Sequence, residues 1–302
     1  MQDQRFQIHE GPIQDGYTSN IQLPIYYHDE YLKIQGLAKA RKHSLLDIEN
    51  KQVVGQTIFC ESDSAGLVSL PAAPFGSVYC DTKTDTSVIT NWLQAILQQG
   101  MVVRHPPAFY QNLIELPATL SFHRRIEDIN HHIELSNYHL GKLHNMQIRR
   151  VRKCKKAGFD LEIVDNPEEL ESLYDFIKMC RQEQGLVINI SREKFLQSFL
   201  LLPNYYQALR IVTTSGHTIA ATVVVKVMKK IAYNYLPAST KAYHNYSPMA
   251  FLLFRTALLY QQQGFDILDL GISSIDGSEQ SSLAQFKERM GAARTAKYTY
   301  FF

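Results

Sequence analysis

Apolar and polar positions between residues 231 and 272 follow two periods in succession. Residues 231–236, IAYNYL, alternate as an aromatic strand, and 265–272, FDILDLGI, read as a short interior strand. Between them residues 249–260 are apolar around most of a helical circumference, interrupted by Arg255 and Thr256, which predicts a mostly buried helix. Ser247 and Pro248 mark its start: the serine hydroxyl is expected to take a free amide, and proline lacks an N–H that would have no intrahelical partner anyway. Gly264 marks its end. Such a strand–helix–strand unit aims free N–H groups and a positive dipole end beyond the strand ends. Most crossover helices hold only water or a cap there, so context has to decide whether this one binds anything.

The same periods order the rest of the chain. Residues 1–22 are polar and irregular, 25–37 read as a short helix, and 44–49 with 52–60 as a hairpin. A strand at 66–71, a helix at 84–99 ended by Gly100, and a strand at 101–104 ended by His105-Pro106-Pro107 complete a mixed α/β first half. Residues 117–135 predict a further strand with an irregular connection, and 135–156 one long helix. Beyond it come a strand at 159–164, a helix at 167–183 capped by Asn166, and a helix to residue 202 capped by Ser191. A meander at 205–214, 217–227 and 230–236 follows, then the central helix and strand, a polar loop at 273–282, a helix at 282–290 and an aromatic strand at 295–302. The order of the second half is β-α-α-β-β-β-α-β-α-β.

Composition narrows the partners. At 302 residues, with 45% hydrophobic and 20% charged residues, the chain has ordinary globular makeup and room for two domains. A net charge of +2 gives no whole-molecule pull toward nucleic acid or membrane, so any electrostatic partner must meet a local patch. One is present: Arg149, Arg150, Arg152, Lys153, Lys155 and Lys156 put six cations into eight residues at a helix end. The helix dipole alone explains their sign, and they would also suit phosphates. Cys60, Cys80, Cys154 and Cys180 have no metal-ligand spacing, and the histidines at 123, 131, 132, 139 and 144 offer no i, i+4 metal grip. No metal is expected. Without a leader-like start or an apolar run long enough to span a bilayer, a cytoplasmic protein is expected.

Several short motifs together resemble a known family. The element order resembles the GNAT acyltransferase fold. Ala220-Ala221, Tyr233-Asn-Tyr235, Ser247-Pro248, Asp269-Leu-Gly271 and Phe286-Lys287 before Gly291 resemble its Fem-type branch, which contains the peptidoglycan aminoacyltransferases. The turn at 71–76 and the His105-Pro-Pro107 strand end fit the same frame in the first half. The resemblance implies an α/β fold, with a mixed sheet, built of two tandem GNAT-like domains. These would be a degenerate one at 1–134, and one at 135–302 that carries the active cleft. Where coenzyme A-using GNAT enzymes carry a glycine-bearing pyrophosphate loop, residues 242–247 read AYHNYS, with no glycine to let backbone approach a pyrophosphate.

What the resemblance implies for chemistry is acyl or aminoacyl transfer to an amine, with aminoacyl-tRNA or acyl-CoA as donor. The acceptor would be a small-molecule or peptidoglycan-precursor amine. Lys287, over Phe286, is expected to hold a carboxylate or steady the developing oxyanion; outside the family frame it is a surface lysine on a short helix. Asp269, at a strand end, would take or bind the amine proton, or else bond local backbone. Tyr233 and Tyr235 share a face by alternation and would line the cleft or donate a proton, or else simply fill the sheet surface. A backbone amide between 233 and 236 would serve as oxyanion donor. Tyr243, His244, Ser247 and Met249 complete the expected substrate-binding set. A tandem GNAT protein without catalytic activity is the competing reading.

Overall fold

The computed structural model describes residues 5–13, 15–37, 39–62, 66–110, 112–113, 116 and 120–302. The chain falls into two compact units. Unit 1 comprises Met1–Ile129, Ser274–Ser278 and Thr295–Phe302, and unit 2 comprises Asn130–Ser273 and Glu279–Arg294. The division is therefore not into the consecutive halves 1–134 and 135–302: the last strand and a short ribbon cluster with the first unit.

In chain order unit 1 contains β1 (Phe6–Glu10), β2 (Thr18–Ser19), α1 (Asp29–Gln35), β3 (Arg41–Asp47), β4 (Gln52–Ser62), β5 (Gly66–Val68), β6 (Tyr79–Cys80), α2 (Thr86–Ile96) and β7 (Met101–His105). Strand β8 (Arg124–Glu134) carries the boundary between the units. The strand expected from residue 117 thus starts at 124, and 117–119 lie outside the described residues. The hairpin β3–β4 is present and longer at both outer ends than the alternation predicts. Strand β1, in a segment expected to be irregular, pairs antiparallel with β3. Helix α2 starts at Asp85, whose carboxylate accepts the Ser87 amide at 2.7 Å. It lays Trp92 against Gly55, where a Cβ would come within 2.6 Å of the indole. That contact admits only glycine.

Unit 2 runs α3 (Asn145–Lys156), β9 (Asp160–Val164), α4 (Pro167–Gln182), α5 (Arg192–Leu201), β10 (Tyr206–Val212), β11 (Thr218–Met228), β12 (Ile231–Asn234), β13 (Ala238–Ser239), α6 (Pro248–Gln262) and β14 (Ile267–Ile272). The short ribbon β15 (Ser274–Ile275) and β16 (Ser278–Glu279), helix α7 (Ser281–Arg289) and β17 (Ala293–Phe301) finish the chain. The sheet order is β8-β14-β12-β11-β10-β9. Only β12 and β14 pair in parallel, and α6 is the crossover that parallel strands require. One face of this sheet packs Leu209, Ile211, Ala220 and Val224 against Val151 and Cys154 of α3 and Phe251, Phe254 and Ala257 of α6. On the other lies α4, whose Glu169 receives Arg210 at 2.8 Å.

The long helix expected at 135–156 is broken. Residues 135–138 form a turn whose Leu135 and Tyr138 carbonyls accept the Gln261 side-chain amide, His139 caps a single turn through the Gly141 amide, and α3 starts anew with His144 accepting from Met146. Polar side chains there compete for backbone groups, which is how such residues end helices.

Candidate active site in the second unit

The parallel pair β12–β14 sets the site. Its register puts Tyr233 opposite Asp269, and Asp269 in turn opposite His132 of β8. Cross-strand partners share a face, so these three side chains lie on the α4 side of the sheet, with Tyr235 two residues on. The Tyr233 and Tyr235 rings are 6.3 Å apart. The two tyrosines therefore share a face, as their spacing predicts.

Strand β14 is irregular between Asp269 and Gly271. Gly271 has φ +71°, and a Cβ there would stand 3.0 Å from the Tyr233 hydroxyl. The conformation favours glycine, and the space beside the Tyr233 hydroxyl is tight. The distortion is held from below by Asp269, which is 2% exposed and accepts the Gly271 amide at 2.9 Å and the Asn130 side-chain amide at 2.8 Å. Asp269 thus does bond the local backbone.

The Gly271 and Ile272 carbonyls, just past the register shift, give Lys287 its seat. The lysine is buried on α7, and its Nζ donates to both carbonyls at 2.8 Å. An ammonium has three N–H donors, so one remains for a ligand. Burial lowers the Lys287 pKa to about 8, against the charge of Asp269, which raises it. It is a seated cation and not a solvated surface lysine. Phe286 packs on the core beneath. Beside it His131 is fully buried, with Nδ1 3.0 Å from the Ser273 hydroxyl; its Nε2 stands 3.6 Å from Glu288, beyond hydrogen-bond reach. Burial first, then the Lys287 charge, lowers the His131 pKa.

Burial raises the pKa of both Tyr233 and Tyr235, so both phenols stay protonated and able to donate. The Tyr235 amide, within the segment expected to supply an oxyanion donor, is committed to the Val223 carbonyl at 2.8 Å. Near these tyrosines lies a residue that the sequence reading passed over. Arg181, in the last turn of α4, is half-buried, and burial lowers its pKa. Its signal was positional: Arg181 continues the buried stripe Leu170, Leu173, Tyr174, Ile177 at helical spacing.

Tyr243, His244, Ser247 and Met249 form a second group at the start of α6. Tyr243 and Tyr246 lie edge-on or tilted against Phe159, with centroids 6.0 and 5.1 Å away. Helix α3 pins this loop: Lys153 donates to the Asn245 carbonyl at 2.8 Å and sits over the Tyr246 ring. His244 is exposed, and Met249 is half-buried against the core. Ser247 departs from expectation. It is left-handed, at φ 59° and ψ 58°, and makes no side-chain cap; its hydroxyl turns back to the His244 carbonyl at 3.4 Å. The following proline keeps it out of the right-handed helical region.

A buried cation thus sits on two backbone carbonyls at the end of the parallel strand pair that a crossover helix joins. Residues 142–288 match the family model of the acetyltransferase (GNAT) domain, so the chain carries a transferase domain of that class. More particularly, its fold is the Fem-type tandem GNAT fold. The solved structure of FemX superposes with a TM-score of 0.62 at 11% identity, covering 92% of each chain. L-PGS from Bacillus licheniformis superposes at 0.56 with 13% identity over 82% of this chain and 81% of its own. A conserved protein of unknown function from Bacteroides thetaiotaomicron superposes at 0.57 with 12% identity over 90% and 89%. No curated protein matches the chain in sequence.

Proposed function

We propose that this acyltransferase moves an aminoacyl group from aminoacyl-tRNA to the amine of a cell-wall precursor, with the second unit carrying the reaction and the first a degenerate GNAT-like domain. The observation that carries the reading is the seat of Lys287, whose two backbone bonds leave one N–H to meet an oxyanion. The acceptor nitrogen attacks the ester carbonyl, a C–N bond forms, and the carbonyl oxygen becomes an oxyanion that takes this N–H. Collapse breaks the C–O bond to the ribose, and the nitrogen's proton ends on the released ribose oxygen. The half-buried, protonated Tyr235 and Tyr233 would donate on that face, while Asp269 fixes the Gly271 turn and balances the lysine charge. Phe286 supports Lys287 from below. Tyr243, His244, Ser247 and Met249 hold the donor end.

Support for an RNA-borne donor comes from α3. Arg149, Arg152, Lys155 and Lys156 are exposed, and among the described residues none of them faces an acidic partner in an ion pair. Four such cations on the helix that pins the α6 loop suit a polyphosphate. Replacing Arg149, Arg150 and Arg152 with Gln should weaken binding of charged tRNA and flatten its salt dependence. Absence of tRNA binding by the parent chain at low salt would sink this donor.

One observation favours a second reading, an acyl-CoA donor. Because Ser247 does not cap α6, its first turn keeps an open amide where a ligand phosphate would sit. Thermal shift against charged tRNA and acetyl-CoA separates the two, since a ligand bound only by the folded chain raises the melting temperature with concentration.

A further inference from the structure

A buried ring lies between the two parts of the Lys287 seat. His131 of β8 pairs in register with Gly271, whose carbonyl accepts from Lys287. Its Nδ1 is 3.0 Å from the hydroxyl of Ser273, the residue after Ile272, whose carbonyl accepts the second Lys287 bond. Its Nε2 faces Glu288, the residue after Lys287 on α7, across 3.6 Å. His131 and Ser273 are 0% and 1% exposed. The Ser273 carbonyl also accepts the Gln280 amide at 2.8 Å, just before α7 begins. His131 thus borders both the strand end that seats the lysine and the helix that carries it. The transfer step leaves it without a role.

The surroundings fix the proton on this ring. A carboxylate attracts an N–H and repels a lone pair, so the neutral imidazole carries its proton on Nε2, and Nδ1 accepts the Ser273 hydroxyl. Nε2 nonetheless has no hydrogen-bond partner, because Glu288 is held elsewhere. Arg294 donates to the same Glu288 oxygen through Nε and reaches Glu279 at 2.8 Å. Of the charged groups that bear on His131, Lys287 of α7 and Arg294 of β17 oppose a second proton, and Glu288 favours one. Asp269 of β14 stands opposite His132 instead, and is closed by the Asn130 side chain and the Gly271 amide. With a second proton Nδ1 can no longer accept, so the Ser273 hydroxyl must turn round. The ring then becomes a second buried cation near Lys287, and it gains by closing its gap to Glu288. Closing that gap pulls on α7 one residue from the lysine.

We propose that His131 is a positioning residue for Lys287: as a neutral ring it spaces the end of β14 from α7 so that the spare Lys287 N–H meets the oxyanion, and on protonation it draws Glu288 in and shifts α7. Transfer then has an acid limit set by His131, besides the alkaline limit set by Lys287. This rests on the reading of Lys287 as the reaction centre.

Two carbon-13 signals of the whole chain test this without any substrate: Cε1 of His131 and Cε of Lys287, assigned by their loss in His131→Asn and Lys287→Arg. As pH falls from neutral, the Lys287 signal should shift in step with proton uptake by His131, well below the lysine's own titration at about 8. Glu288→Gln should move the common inflection to lower pH, because it removes the group that favours the proton. Arg294→Gln should move it to higher pH, because it removes an opposing cation and frees Glu288. His131→Asn, whose amide can keep the Ser273 bond in place of Nδ1, should leave the Lys287 signal flat in acid and remove the acid limb of kcat. Should that variant not fold, the Glu288 and Arg294 variants, both at partly exposed positions, carry the test. A Lys287 signal that stays flat while His131 titrates would overturn the proposal. So would shifts of the same sign in Glu288→Gln and Arg294→Gln, or no proton uptake by His131 before the chain unfolds in acid. Undiminished transfer in Lys287→Met, with the coupled titration present in the parent, would sink the reaction reading alone and leave the His131 link to α7 standing.

Discussion

Each unit buries polar side chains, and they are finished differently. In unit 1 the Ser77 hydroxyl lies 2.7 Å from His105 Nδ1, the Ser77 carbonyl accepts both Tyr27 and Thr57, and Asp47 is closed by Arg5 and Asn50. In unit 2, among the described residues, Lys287 has an N–H to spare, and His131 Nε2 and Arg181 Nε lack a hydrogen bond. Closed networks hold a fold together, whereas open valences on charged groups are tolerated where something else completes them. Unit 1 also leaves neutral groups open, Tyr79 Oη and Trp92 Nε1, so among the described residues the contrast lies in the charged and titratable side chains alone.

The largest expected effect tests that contrast on turnover. Lys287→Met should slow transfer by about a hundredfold to a thousandfold, the usual loss for one oxyanion donor. In the parent, kcat should fall as pH rises through about 8, where Lys287 loses its proton; Lys287→Arg, which keeps its charge, should lack this limb. Full activity in Lys287→Met would remove the residue from the mechanism.

Next in size is a difference in pH dependence of stability. Burial lowers His105 to about 4 and Lys287 to about 8. In each case the native state binds fewer protons than the unfolded chain between the lowered and the ordinary value, so stability rises with pH across that window. For His105 the window runs from about 4 to 6.5, so its penalty is absent at neutral pH and grows in acid. For Lys287 it runs from about 8 to 10.5, so the penalty stands in full at neutral pH and is relieved only in alkali. Either window spans about 3 kcal/mol at the most. Urea unfolding of the parent and Lys287→Met at pH 7.5, 9 and 10 should show the alkaline rise in the parent alone. A rise surviving in the variant would assign it elsewhere.

Sequence periodicity carried the order of elements from β9 to β17, apart from the short strands β13, β15 and β16, because alternating strands and a helix that is apolar all round are distinct in pattern. Asp269, Tyr233 and Tyr235 were named from their strand positions, and Lys287 with Phe286 only from the family resemblance. Three things were hidden. Asn130, which holds Asp269, is 139 residues away, and no local pattern links them. Arg181 was not singled out, since its place on the buried stripe of α4 does not tell an unpaired charge from a hydrated one. The last strand was read as part of the second domain, yet its residues Tyr298 to Phe301 pair with β7 of unit 1. Chain order cannot anticipate that return.

A smaller effect probes the closed side. Ser77→Ala should destabilise the chain by about 1–3 kcal/mol, because buried His105 loses its partner, while turnover per folded molecule stays unchanged. A fall in turnover at full folding would mean that the two units are not finished for different purposes.

The smallest change separates structure from binding at one residue. Ser247 holds a left-handed conformation without capping α6, at an expected cost of about 1 kcal/mol that glycine does not incur. Ser247→Gly should therefore raise stability by up to about 1 kcal/mol, less whatever glycine adds to the unfolded chain's entropy. If serine is kept for its hydroxyl, the same variant should bind the acyl donor more weakly although it melts higher. Opposite movement of melting temperature and donor affinity would make Ser247 part of the site. A gain in stability with unchanged affinity would return it to the loop, leaving Tyr243, His244 and the open first turn of α6 to hold the donor.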